Sequence, residues 1–431
     1  MTGDIQVRNT ALRSVLSLLG AFEKELRRNL HIEFPYEDSR LAVEKLLKEA
    51  EQMKAYLQAF RSQQEPDPIV CILVRDFIAS TVPLLGFILR STNVRNSFEM
   101  HAPFRRLAKA FLDEGGSRKI HLLLSSEWDY SPLNEVGYGE LLTHGYQEVV
   151  NGMAHSDDAK RDRPVFVLIG QPAPESSNPF FLPLAAHELG HSIWREKRFD
   201  DEFLADLKKA FPNETDEGQE MTEDDECRKW CSLQLQETFC DLIGVRVFGT
   251  SYLHAFRHFL AGCVGRSEVY PSDYDRAVIQ KAMCDRYQFL CPKGFLKCFD
   301  QKDDKAADVD NELLSKVDEV RKTLTSKLHL MVDSIASERS IPMPDNKKRK
   351  GCLDRLRWFV PITGARSLAD IMNAAWEAAH TENFFKNPRL NEQPEEHLKE
   401  VVLKSIEVFE IEQRMSDFQK SKEVTTHDSA H

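Results

Sequence analysis

From Leu182 to Trp194 the chain is apolar on nearly every side of a helix, through Leu182, Leu184, Ala185, Ala186, Leu189 and Ile193, yet it carries His187, Glu188 and His191. A helix that is apolar all round has to be buried, so the rest of the fold must wrap it. Buried imidazoles and a buried carboxylate then need partners inside that fold. Positions four apart lie on one helix face, so His187 and His191 can aim two ring nitrogens at one point. Gly190 costs such a helix about 1 kcal/mol relative to alanine, which makes sense where another backbone or a ligand approaches closely. Pro183 suits the first helical turn, after a stretch from Gly170 to Pro179 that reads as loop by composition.

The remainder is mostly helical. Leu12, Val15, Leu16, Leu19, Phe22 and Leu26 follow three-and-four spacing, as do Val43, Leu46, Leu47, Ala50, Met53, Leu57 and Phe60 after a break at Pro35 to Ser39. Two such helices joined by a short loop predict an antiparallel pair. The texture changes at Gly115-Gly116, and Ile120 to Leu124 and Val165 to Ile169 are the strand candidates. Between Asn213 and Glu226 stand eight acidic residues and no base, read as a solvated loop, followed by a helix from about Arg228 to Phe248 that Gly249 stops. From Asn311 a stripe of Leu313, Val317, Val320, Leu324, Leu328 and Ile335 predicts another packed helix. The basic run Asn346 to Lys350 is expected in a solvated loop, and the tail from about Ser416 is expected to fray.

These readings give an α+β fold, predominantly α-helical, in three segments. Residues 1–115 form an N-terminal helical region. Residues 116–300 form a core with a small mixed sheet and the acidic loop 213–226. Residues 301–431 form a C-terminal helical region with a disordered tail.

The charge balance is acidic, 69 carboxylates against 57 bases, which argues against nucleic acid or an anionic membrane as a partner. The apolar stretch Ile69 to Leu89 contains Arg75, Asp76 and Pro83, and each central charge would cost about 2.5 to 3.5 kcal/mol in a bilayer. A buried helix is expected there, and no membrane span. No basic segment followed by an apolar run opens the chain, so a cytoplasmic location is expected. Nine scattered cysteines in a chain of 431 residues read as buried, reduced thiols.

Zinc requires a third protein ligand and one open position for chemistry. The helix ending near Phe248 offers Glu237 and, on the same face four residues later, Asp241. A ligating histidine usually donates its other ring N–H to a carboxylate, and Asp241 suits that role toward His187, leaving Glu237 for the metal. Two neutral imidazoles and one carboxylate around Zn²⁺ leave a net charge of plus one, enough to polarise a carbonyl and acidify water. Glu188, one residue along from His187, falls beside the metal, where a general base is needed. His254 and His258 also stand one turn apart, without an acidic neighbour, and read as surface or core residues.

With His187-Glu188-x-x-His191 on one helix and Glu237-x-x-x-Asp241 on a later one, the chain resembles the zincin metallopeptidases of the gluzincin branch over roughly residues 160–280. The resemblance implies one Zn²⁺ per chain, hydrolysis of a protein or peptide substrate, and an edge strand lining the substrate cleft, for which Val165 to Ile169 is the candidate. Such enzymes often draw an oxyanion donor from a downstream element. Here that element is Tyr270-Pro271-Ser272-Asp273-Tyr274-Asp275-Arg276, which nominates Tyr270 and Arg276 as catalytic, with Tyr274 competing and ordinary packing or ion pairing open for each. Two other functions fit the same residues. One is a non-catalytic binding or regulatory protein on a zinc-stabilised scaffold, against which Glu188 speaks because a structural site needs no base. The other is a zinc hydrolase of a non-peptide amide.

Overall fold

The computed structural model describes residues 2–34, 36–63, 68–91, 98–113, 119–127, 133–134, 142, 164–215, 221–261, 266–299 and 311–428. The chain is predominantly helical, with one small sheet among the described residues, and it divides into two compact units, residues 1–97 with 113–177 and residues 98–112 with 178–431. No helix among the described residues is long and apolar enough to cross a membrane.

In the first unit, α1 (Thr2–Asn29), α2 (Glu37–Gln63) and α3 (Pro68–Arg90) turn their apolar stripes inward. Leu12, Val15, Leu19 and Leu26 of α1 meet Val43, Leu46, Ala50 and Leu57 of α2 and Val74, Phe77, Leu84 and Ile88 of α3 in one buried cluster. Phe22 and Phe77 pack edge to face at 6.0 Å. The stretch containing Arg75 and Asp76 is thus one amphipathic helix, its charges on the outer face. The sheet joins β1 (Ile120–Glu127) in parallel to β3 (Val165–Pro172), with β2 (Leu133–Asn134) antiparallel on the other side. β3 is therefore the middle strand, which corrects the edge-strand expectation: Ile169 and Gly170 are paired on both sides, while Val165 to Leu168 are paired only by β1 among the described residues. β3 also runs three residues past Ile169 into the stretch read as loop. The His121 ring ties β1 to α2 through Asp38 at 2.7 Å. The side chain of Phe60 and the Gly115-Gly116 break lie outside the described residues.

The second unit begins with α4 (Phe98–Leu112) and contains α5 (Leu182–Glu196), α6 (Phe199–Ala210), α7 (Glu223–Phe248), α8 (Thr250–Phe259), α9 (Asp273–Arg286), α10 (Asn311–Glu338), α11 (Asn346–Arg357), α12 (Leu368–Ala379) and α13 (Pro394–Asp428). α7 is its axis, packing against α5 on one side and α10 on another, so helices from both sides of residue 300 belong to one unit. Three sequence expectations are corrected here. α7 starts at Glu223, because Thr222 accepts from the Asp225 N–H at 3.2 Å while its own N–H donates to the Asp225 carboxylate at 3.3 Å. That reciprocal cap, with four acids at the positive end of the helix dipole, turns the last part of the acidic segment into helix. Asp224 also takes the Asn213 N–H at 2.9 Å, and residues 216–220 of the segment lie outside the described residues. The basic run opens α11, capped by Asp345, instead of lying in a loop. Finally, α13 continues as helix to Asp428, past the point where fraying is expected.

Candidate metal centre

α5 is positioned by its N-terminal approach. Asn178 accepts from the Phe180 N–H at 3.1 Å to start a single 3₁₀ turn, Pro179–Phe181, which feeds the helix with Pro183 in its first turn. Phe181 packs on Phe259 and Trp194 stacks on Phe203 at 5.6 Å, anchoring both ends. Twelve of the fifteen residues of α5 are buried, as its all-round apolar character requires. Gly190 permits the close crossing with α7: a Cβ there would stand 2.8 Å from both the Cα and the Sγ of Cys240.

That crossing brings the predicted residues together. The Nε2 atoms of His187 and His191 face the two oxygens of Glu237 at 3.3 and 3.5 Å. On the other side of its ring, His187 Nδ1 meets Asp241 Oδ1 at 2.9 Å. His187, Glu188, Glu237 and Asp241 are all buried. Asp241 is also the acceptor for Arg276, whose Nε and Nη2 donate at 2.8 and 2.9 Å, and for the hydroxyl of Tyr252 at 2.7 Å. Three elements, α5, α8 and α9, thus converge on one carboxylate of α7.

The charges follow from this packing. Burial works against a charged His187, but the neighbouring carboxylates of Asp241 and Glu237 outweigh it and carry its pKa up to about 10. Burial brings His191 down to about 4, the Glu237 charge only partly offsetting it. Burial also raises Glu188 to about 7. For Asp241 burial is outweighed by Arg276, which holds the carboxyl far below its ordinary range. Arg276 thereby neutralises Asp241, and Glu237 remains as the negative charge facing the imidazoles.

Arg276 is buried, its guanidinium against the Phe256 and Tyr270 rings at 5.0 and 5.6 Å. Tyr270 is partly buried, and its phenol is pushed up to about 12 by burial and then by the Glu237 charge. Tyr274, on α9, makes none of these contacts. His254 and His258 lie on α8, packed on Trp376, outside the cluster.

Tyr252, with Gly244 beneath it, and Cys240 are absent from the sequence expectations as parts of this site. Tyr252 is fully buried, and its ring occupies the space over Gly244, where a Cβ would meet it at 2.2 Å. Gly244, one turn before the end of α7, is the only trace of this in the sequence, and a helical glycine can be read as a site of close approach. Cys240 joins His187 and His191 in a group whose donor atoms all lie within 4.8 Å of one another and could hold a metal ion. Burial, and then the Glu237 charge, hold its thiol well above the ordinary cysteine range.

Two features bear on a metal. Glu237 Oε2 is buried and makes no hydrogen bond of good geometry among the described residues, with the His187 Nε2 at 3.3 Å and the Arg276 Nη2 at 3.8 Å as its charged neighbours. Four ligands at 2.0 to 2.1 Å around tetrahedral zinc stand roughly 3.3 Å apart, and each Glu237 oxygen lies near that distance from a different imidazole, Oε2 3.3 Å from His187 and Oε1 3.5 Å from His191. The residues therefore fit a zinc-sized cation. No family model, curated protein or solved structure matches the chain.

Proposed function

We propose that this protein is a zinc-dependent metallopeptidase with a zincin-like centre, in which His187, His191 and Glu237 hold the metal and Asp241 fixes the His187 ring. The observation that carries this reading is the Glu237 carboxylate opposite both imidazole Nε2 atoms, with Asp241 on the far nitrogen of His187. Glu237 is preferred to Cys240 as third ligand because the Cys240 sulfur is packed into the helix crossing beneath Gly190. When bound, zinc supplies a Lewis acid for the scissile carbonyl and for water.

The chain's own groups do the rest. Glu188 accepts the proton of the attacking water at its carboxylate and delivers it to the leaving nitrogen. Arg276, with Nε and Nη2 committed to Asp241, acts in this reading by holding that carboxylate in place. Tyr270 is then the remaining candidate to meet the oxyanion, where a positioned donor has its largest effect. A protein or peptide in the cytoplasm is the proposed substrate.

Purified protein is expected to carry about one zinc per chain. His187→Ala and His191→Ala should abolish it, whereas Glu188→Gln should retain the metal and lose turnover. Comparative proteomics of cells carrying the native or the Glu188→Gln protein reads out the cleaved substrates. Protein free of transition metal and indifferent to His187→Ala would sink the proposal, and a Glu188→Gln protein fully active in cells would favour the zinc-stabilised binding scaffold.

A further inference from the structure

The basic run Asn346 to Lys350 has no part in the metal centre. Asp345 accepts from the Lys347 N–H at 2.8 Å, and the first turn of α11 then carries Lys347, Lys348 and Arg349 without an acid. Cations at a helix N-terminus stand against its dipole, so this end is strongly positive. Arg349 lines a cavity of roughly 330 Å³ together with Thr250, His254 and Arg257 of α8, Lys293 of the turn after α9, and His380 at the end of α12. Thr250 Oγ1 secures that turn by donating to the Leu290 carbonyl at 2.7 Å.

Two of the cavity's cations, Arg257 and Arg349, are held by named partners. His380 Nδ1 donates to the Trp376 carbonyl at 2.8 Å, which leaves Nε2 as an acceptor for Arg257 Nη2 at 3.0 Å. A neutral imidazole therefore orients Arg257 without cancelling its charge. Arg349 is paired at 2.6 Å with Glu377, the one acid among the lining residues. Lys293 is exposed and makes no ion pair among the described residues. His254 stacks on Trp376, and its buried Nδ1 has no hydrogen-bond partner among the described residues. In a chain of net charge −12, three cations from three separate elements thus meet one carboxylate around a single cavity.

We propose that this cavity binds a small organic polyphosphate. Guanidinium groups suit phosphate oxygens, and with Arg349 paired to Glu377 the charges of Arg257 and Lys293 remain, one more than a single carboxylate ligand would need. The volume sits at the low end of the range for small-ligand sites, roughly 300 to 1,000 Å³. A nucleic-acid strand instead calls for an extended basic stripe, whereas these cations surround a single cavity.

The test is calorimetric titration of the full chain with tripolyphosphate at 150 mM salt. Saturable binding of one ligand per chain is expected. Arg257→Gln and Lys293→Gln should each weaken it about tenfold or more, the loss of one charge-assisted contact. Lys347→Gln and Lys348→Gln, on the exposed side of α11, should change it by no more than about twofold through screened charge. Arg349→Gln leaves Glu377 unpaired and can disturb packing, so exposed Lys293 carries the test if that variant unfolds. No saturable binding, equal losses from the Lys347 and Lys348 variants, or tighter binding of a single-stranded RNA homopolymer at the same residues would each overturn the proposal. None of these outcomes depends on whether the metal centre is catalytic.

Discussion

The three-helix core of the first unit and the α5–α7 crossing of the second are both buried, yet they are held in different ways. Around Phe77 the contacts are apolar and non-directional, and a neighbouring ring such as Phe22 can shift by a fraction of an ångström at small cost. Around Asp241 four donor atoms from three side chains besides its own point at two oxygens. The lost hydration of those charges is compensated only while all partners are in place. The first region depends on shape alone, while the second depends also on where each charge and donor is placed. Stability should therefore be readable in one and metal affinity in the other.

The strongest way to break that contrast is at the metal. Glu237→Ala should remove bound zinc, measured by elemental analysis, while Cys240→Ser should leave it near one per chain. The opposite result would make Cys240 the third ligand. Next, Phe77→Ala should cost about 3 to 5 kcal/mol in denaturant unfolding without altering zinc stoichiometry in protein that remains folded. A loss of zinc from the folded Phe77→Ala protein would mean that the two regions are not energetically separate. The smallest effect is the sharpest probe: Tyr252→Phe removes one hydroxyl from Asp241 and keeps the ring over Gly244. Zinc affinity measured by competition with a chelator should fall about 10-fold, the lower end for loss of an outer partner, with little change in thermal unfolding. An unchanged affinity would make Tyr252 a packing residue only.

Much of this was legible in the residues themselves, for identifiable reasons. Helical spacing located α1, α2, α5 and α10, and β-branched and aliphatic runs located β1 and β3, since those patterns are local. His187, His191, Glu237 and Asp241 could be grouped because their four-residue spacing selects one face on each helix. The α7 start differs from its expected place because eight acids point to solvation, although Thr222-x-x-Asp225 is itself a cap signature. Tyr252, Cys240 and the Asp241 contact of Arg276 come from how helices cross, which no local pattern encodes. Similarly, Arg349 joins Arg257 and Lys293 only after folding, so the basic run looked like a solvated loop.

Asp241 also sets a timetable. Its partners come from both sides in the chain, His187 before it and Arg276 35 residues after it. At 5 to 20 residues per second of synthesis, roughly 2 to 7 seconds separate the making of Asp241 from the making of Arg276. During that interval the histidines and both carboxylates exist without the guanidinium that neutralises one of them. The charge arrangement around His187 is therefore completed only after synthesis has passed α9, because Asp241 has no guanidinium beside it until Arg276 is made.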